Sequence, residues 1–202
     1  LIILALVCFA ALALFRPVWA IAAFLFLLPT YQIRLSLAGI PTTFLELLFA
    51  VLFLLWLVGM DRIRLRRVLH VPWRWLLVAL LACAAVSVIA SPDKHAAIGL
   101  FKAYFVEPIL FFCILWERIR TERDVRLLLY ALGCSVVVAA AVAVLQYVHL
   151  VPSPDPWNIQ APRRVVGTFD YPNALALYVA PMFGLAAAFL FGRLPKFISS
   201  LV

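Results

Sequence analysis

The sequence predicts an all-α fold, a polytopic transmembrane helical bundle of about seven spans plus the start of another. Three observations carry that prediction. Of the 202 residues, 67% are hydrophobic and the mean hydropathy is +1.12, against roughly 45–50% apolar residues in soluble domains. Charged residues make up only 13%. They gather between apolar runs, several of which are long enough for the 17–25 or so residues of a membrane crossing.

Taken in order, Leu1–Phe15 and Val18–Leu28 are two shorter runs separated by Arg16-Pro17. Proline stops a helix and arginine is costly at mid-bilayer, so two spans joined by a turn are expected, the first cut short; one long kinked helix is the alternative. Longer runs follow at Thr42–Met60, Trp73–Ala90, Gly99–Trp116, Leu127–Val148 and Asn173–Gly192, and a further run begins near Lys196. Residues 1–202 are therefore expected to form a single transmembrane domain. The chain opens on "LIILALVCFA" and closes on "FISSLV", and the expectation is the N-terminal half of a longer protein. Cys8, Cys83, Cys113 and Cys134 all sit inside apolar runs, with no C-x-x-C pair or nearby histidine, and read as small side chains buried in the membrane.

In a soluble chain the net charge of +8 would suggest nucleic acid, but no basic helix with interleaved aromatics is present to follow a phosphate backbone. The charge reports topology instead. Arg16, the cluster from Arg62 to Arg74, the cluster from Arg118 to Arg126, Arg193 and Lys196 fall in one set of alternate loops. The opposite set holds only Arg34, Lys94, Lys102, Arg163 and Arg164. Basic residues accumulate on the cytoplasmic side, which places loops 60–74 and 117–126 there and loop 150–172 outside. Trp56, Trp73, Trp75 and Trp116 flank the cytoplasmic loops, where an aromatic belt lies. The run "DRIRLRRVLH" is a topology signal and a candidate surface for anionic lipid.

The outer loop is the longest and holds Pro152, Pro154, Pro156 and Pro162, so an extended, stiff path is expected. It closes on "APRRVVGTFDYPNALALY". Arg163 and Arg164 stand on the side where basic residues are scarce, and the planar guanidinium suits bidentate binding of phosphate. Gly167 permits a tight turn or close approach to a ligand, and Asp170 or Asn173 can cap the helix that Pro172 begins. The free amides of that helix start also favour an anion. The bland role stands beside this one: outer arginines often touch only lipid phosphate.

The stretch "RVVGTFDYPNALALYVAPM" resembles the R-x-x-G-T-F-x-N-P-N-x-x-A pattern of the O-antigen ligase and O-antigen polymerase family of bacterial membrane proteins. Asp170-Tyr171-Pro172-Asn173 stands where Asn-Pro-Asn is commoner. The layout of "GIPTTFLELLFAVLFLLWL" before a basic loop also looks like the family's early spans. The resemblance implies a GT-C-like multi-span glycosyltransferase of the bacterial inner membrane. Such an enzyme moves a glycan from an undecaprenyl-pyrophosphate-linked donor to a hydroxyl of a glycan or lipid acceptor at the outer face, in surface polysaccharide or lipopolysaccharide biosynthesis. It implies that Arg164 is catalytic, meeting the donor pyrophosphate as negative charge builds on it. Arg163 assists or faces lipid, and Gly167, Thr168 and Asn173 shape the pocket. No D-x-D pair or histidine cluster suggests a metal, and neither metal nor cofactor is expected. The family's large outer loop with further arginine and histidine would follow Val202.

Arg34 is a second candidate for contacting the anionic donor. Glu46 and Glu107 lie in apolar runs, where carboxylates are functional candidates. Two roles are open to them: handling the acceptor hydroxyl, or pairing with Lys102 or Arg34 to hold helices together. His95 and His149 read as interface residues. A transporter or flippase for a lipid-linked or anionic substrate is the competing function, although no internal repeat is visible and the polar residues of the spans lie toward the outer half. A scaffold without chemistry is the third.

Overall fold

The computed structural model describes residues 1–37, 40–71, 73–159 and 164–191. These residues are mostly helical, and they divide into two compact units: Leu1–Ala50 with the chain from Arg120 onward, and Val51–Ile119.

In the first unit, α1 (Ile2–Phe15) and α2 (Pro17–Phe26) are separate helices, because the backbone leaves helical geometry at Arg16, with φ −142° and ψ 67°. At 1.5 Å per residue, their 14 and 10 residues reach about 21 and 15 Å, short of the roughly 30 Å hydrocarbon layer. Helix α2 packs on α8 (Glu122–Tyr147) and buries Ala20, Ile21, Ala22 and Phe24. Ser135 of α8 is almost fully buried. It accepts a hydrogen bond from Tyr178 Oη and donates to the Phe26 carbonyl, both at 2.7 Å, so α9 (Pro172–Leu190), α8 and α2 share one polar link.

The segment expected to be loop before the third span contains an antiparallel hairpin, β1 (Arg34–Leu37) with β2 (Ile40–Thr43), in the register Arg34 opposite Thr43. Thr42 and Thr43, expected inside the span, therefore belong to a strand, and α3 starts at Phe44 and runs to Val58.

Helix α3 carries the chain into the second unit. Gly59–Asp61 breaks it from α4 (Arg62–Leu69), which lies at 119° to it. The Asp61 carboxylate accepts the Arg64 N–H at 2.8 Å, a helix cap, and that bond holds its pKa below the ordinary 3.8. A lowered folded pKa means that the cap is at full strength above about 3.8 and is lost as the pH falls beneath it. The Arg64 amide resonance is expected to titrate with a midpoint under 3.8 and to lose that titration in Asp61→Asn, which NMR can follow. Buried Glu117 of α7 (Glu107–Arg118) ties α3, α4 and α7 together. It accepts from Trp56 Nε1 at 3.2 Å and from Arg118 Nε at 2.9 Å, with Arg64 Nε at 3.7 Å. Trp73 packs against Phe112 and meets Trp116 edge-on, with ring centroids 6.4 Å apart in both pairs.

Helix α5 (Arg74–Ala90) is apolar all round and buries only Ala84, a pattern that suits lipid rather than water. The expected outer loop "SPDKHAAIG" is shorter than its sequence suggests, since α6 (Lys94–Phe101) already begins at Lys94 under an Asp93 cap. Between α6 and α7, residues Lys102–Val106 form a π-helical turn. Pro108 lacks the N–H that an α-helix needs, and a π turn accommodates such a gap. It also explains how residues five apart meet: Lys102 Nζ lies 3.3 Å from Glu107 Oε1. Lys102→Met alone is expected to lower the melting temperature in detergent, and Glu107→Gln added to it to recover most of the loss. The expected coupling is about 1 kcal/mol or more, and additive losses would show that the pair is inert.

Among the described residues, two helical stretches are long and apolar enough to cross a membrane, Lys94–Arg118 and Glu122–Tyr147, and a third if bent α3–α4 counts as one span. The four cysteines are free thiols on helices; Cys8, Cys83 and Cys134 are exposed on helix faces and Cys113 is partly covered. Arg193 and the run from Lys196 lie outside the described residues.

Candidate functional site

The site grows from the far end of α8. That helix stops with His149 in the left-handed region at φ 64°, with the His149 and Leu150 amides bonded back to the Gln146 and Leu145 carbonyls. The chain then turns through residues 155–159, closed by Trp157 N–H to the Pro154 carbonyl and Ile159 N–H to that of Pro156. Pro154 and Pro156 thus bound turns rather than the extended path expected of them, and Pro162 lies outside the described residues.

Gln146, buried in the last turn of α8, anchors the returning chain at Val166 and Gly167. Its Oε1 accepts the amides of Val166 at 3.1 Å and Gly167 at 2.8 Å, and its Nε2 donates to the Gly167 carbonyl at 3.0 Å. One side-chain amide thereby satisfies three backbone groups that burial would otherwise leave costly. Gly167 has φ +61°, and a Cβ there would lie 2.9 Å from the Ala139 carbonyl oxygen and 3.0 Å from Leu175 Cδ1. Only glycine fits. Phe169 is buried and packs against Tyr31 and Tyr178, with ring centroids 5.9 and 5.1 Å away. The "VGTF" turn is pinned to the helices at both ends.

On this turn the functional candidates come together. Arg164 projects to the exposed side, with its guanidinium carbon 5.8 Å from the Trp157 ring centroid and NH2 3.4 Å from Asn173 Oδ1. Its backbone N–H donates to the Trp157 carbonyl at 3.4 Å, and Trp157 Nε1 donates to the Asp170 carbonyl at 3.0 Å. Arg34 reaches the same turn from β1, 3.8 Å from the Asp170 carboxylate. Both partners are largely exposed, so this pair is weak and a stronger anion can displace it. Instead of capping α9, Asp170 meets Arg34 and Asn173 meets Arg164 from within the helix's first turn. Thr168 Oγ1 is buried with no hydrogen-bond partner among the described residues. Arg163 lies outside the described residues.

The two carboxylate candidates have partners of their own. Glu46 caps α3: its Oε2 accepts from Thr42 Oγ1 at 2.7 Å and from the Thr43 amide at 3.0 Å, while its own amide donates to Thr43 Oγ1. "TTFLE" carries the T-x-x-E signature of that cap. Glu107 belongs to the second unit and pairs with Lys102.

Gln146 and Trp157 are the residues that sequence reasoning missed. A lone amide near the end of a 26-residue apolar helix was the available signal for the first. For the second, no spacing pointed to Arg164.

Two exposed guanidinium groups, an indole face and a helix start thus lie around one turn, the kinds of group that can receive an anion. No family model, curated protein or solved structure matches the chain.

Proposed function

We propose that this chain is part of a polytopic glycosyltransferase of the O-antigen ligase and polymerase type. It sits in the bacterial inner membrane as about seven spans plus the start of another, with loop 150–172 outside and loops 60–74 and 117–126 in the cytoplasm. Its donor is an undecaprenyl-pyrophosphate-linked glycan and its acceptor a hydroxyl at the outer face. The observation that carries this reading is the exposed Arg164 guanidinium, steadied by Trp157 and Asn173 on a turn that Gln146 holds rigid.

In the reaction the acceptor oxygen bonds to the anomeric carbon as the bond from that carbon to the diphosphate breaks. The diphosphate departs with the electron pair, and the acceptor proton ends on it or in solvent. Arg164 meets the growing charge on the leaving group, Arg34 adds a second cation once Asp170 gives it up, and Thr168 and Asn173 shape the pocket. The two carboxylates serve the fold. Glycan transfer by the full-length protein carrying Arg164→Ala tests the proposal: transfer should be lost at unchanged membrane abundance, and normal transfer refutes the assignment.

A further inference from the structure

A groove of about 680 Å³ opens in the first unit between the α1–α2 break and the first turns of α8. Three arginines line it, Arg16, Arg123 and Arg126, beside the aromatic rings of Phe15, Trp19 and Tyr130. Two of the local charges are already engaged. Arg126 NH2 pairs with Glu122 Oε2 at 3.2 Å, and the Asp124 carboxylate accepts the amides of Arg120 and Thr121 as the cap of α8. Arg16 and Arg123 make no ion pair among the described residues, and both are exposed. The groove therefore carries net positive charge, with Arg16 at the α1–α2 break and Arg123 and Arg126 on α8. Its rim is apolar and open, with Phe15 at 80%, Trp19 at 55% and Tyr130 at 62% exposure. Arginine beside exposed indole and phenol rings is the pairing found where a protein meets lipid headgroups.

We infer that this groove is a specific site for an anionic phospholipid, with Arg16 and Arg123 holding the phosphodiester and Phe15, Trp19 and Tyr130 lying against the upper acyl chains. A free phosphate compound would use the arginines but leave the aromatic rim without a partner, which favours the lipid. The site lies at the start of α8, whereas Gln146 and the Arg164 turn lie at its other end, so it is distinct from the transfer site.

The test uses the full-length protein in detergent, with retained lipid measured by native mass spectrometry and melting temperature measured in parallel. Phosphatidylglycerol should be retained and raise the melting temperature, whereas phosphatidylcholine and inorganic phosphate should do neither. Arg16→Gln with Arg123→Gln should weaken retention about 30-fold and leave the lipid-free melting temperature unchanged. Arg66→Gln with Arg67→Gln removes the same charge from α4 and should retain the lipid. Equal retention by the groove variant and the wild type overturns the inference, as does equal loss in both double variants. Displacement of the lipid by inorganic phosphate would reassign the site to a free phosphate compound. A lower lipid-free melting temperature in the groove variant, with retention unchanged on Arg123→Gln alone, would make the arginines structural and overturn it too.

Discussion

Gln146→Leu is expected to destabilise the first unit by about 3–5 kcal/mol. The leucine fills a similar volume, so no large cavity forms. The change removes the partner of two buried amides and one carbonyl, all on Val166 and Gly167. Each buried group left without a partner costs about 1–3 kcal/mol, and water entering the turn recovers part of that. Because the loss falls on the turn that carries Arg164, transfer should fall together with abundance. Thermal unfolding in detergent and quantitative blotting of membranes check both. An unchanged melting temperature would mean that the turn is held by other contacts, such as the packing of Phe169.

Arg164→Ala is expected to reduce glycan transfer by about 10²–10³-fold, the range seen when one fixed donor to a developing oxyanion is removed. Unlike the Gln146 variant, it should leave abundance and melting temperature near those of the wild type. The side chain is exposed, and its one hydrogen bond, to Asn173 at 3.4 Å, is long. Arg164→Lys should fail nearly as badly. An ammonium keeps the charge but loses the planar two-point contact and the fit over the Trp157 ring. Full activity in the lysine variant would reduce the role of residue 164 to a bulk positive charge.

The long helices were legible because helices apolar on every face are written as uninterrupted apolar runs, and Trp73–Ala90 and Leu127–Val148 each differ from α5 and α8 by a few residues at one end or both. Composition does not encode where hydrogen bonds go. The hairpin at Arg34–Thr43 is too short and apolar to stand out from the span beside it. The π turn is consistent with Pro108, but the same proline also permits a plain kink. At the candidate site, Arg34, Arg164, Gly167 and Asn173 could be singled out because arginines on an apolar chain and a Gly-Thr-Phe turn are locally unusual. Gln146 could not, since its partners lie 20 and 21 residues away in sequence. Trp157 joins Asp170 across 13 residues, a contact that only the folded loop creates. Glu46 shows the opposite case. It read as an intramembrane carboxylate, yet its "TTFLE" neighbourhood had already specified a helix cap.

In the proposed function, the turn held by Gln146 presents Arg164 to a lipid-linked diphosphate. The most direct test is retention of undecaprenyl pyrophosphate by the purified full-length protein, measured by native mass spectrometry beside undecaprenyl monophosphate. The wild type should hold the pyrophosphate in preference to the monophosphate, and Arg164→Ala should lose that preference while keeping its fold. Equal retention of the two lipids by the wild type, or an unchanged preference in the variant, would rule out diphosphate recognition by Arg164.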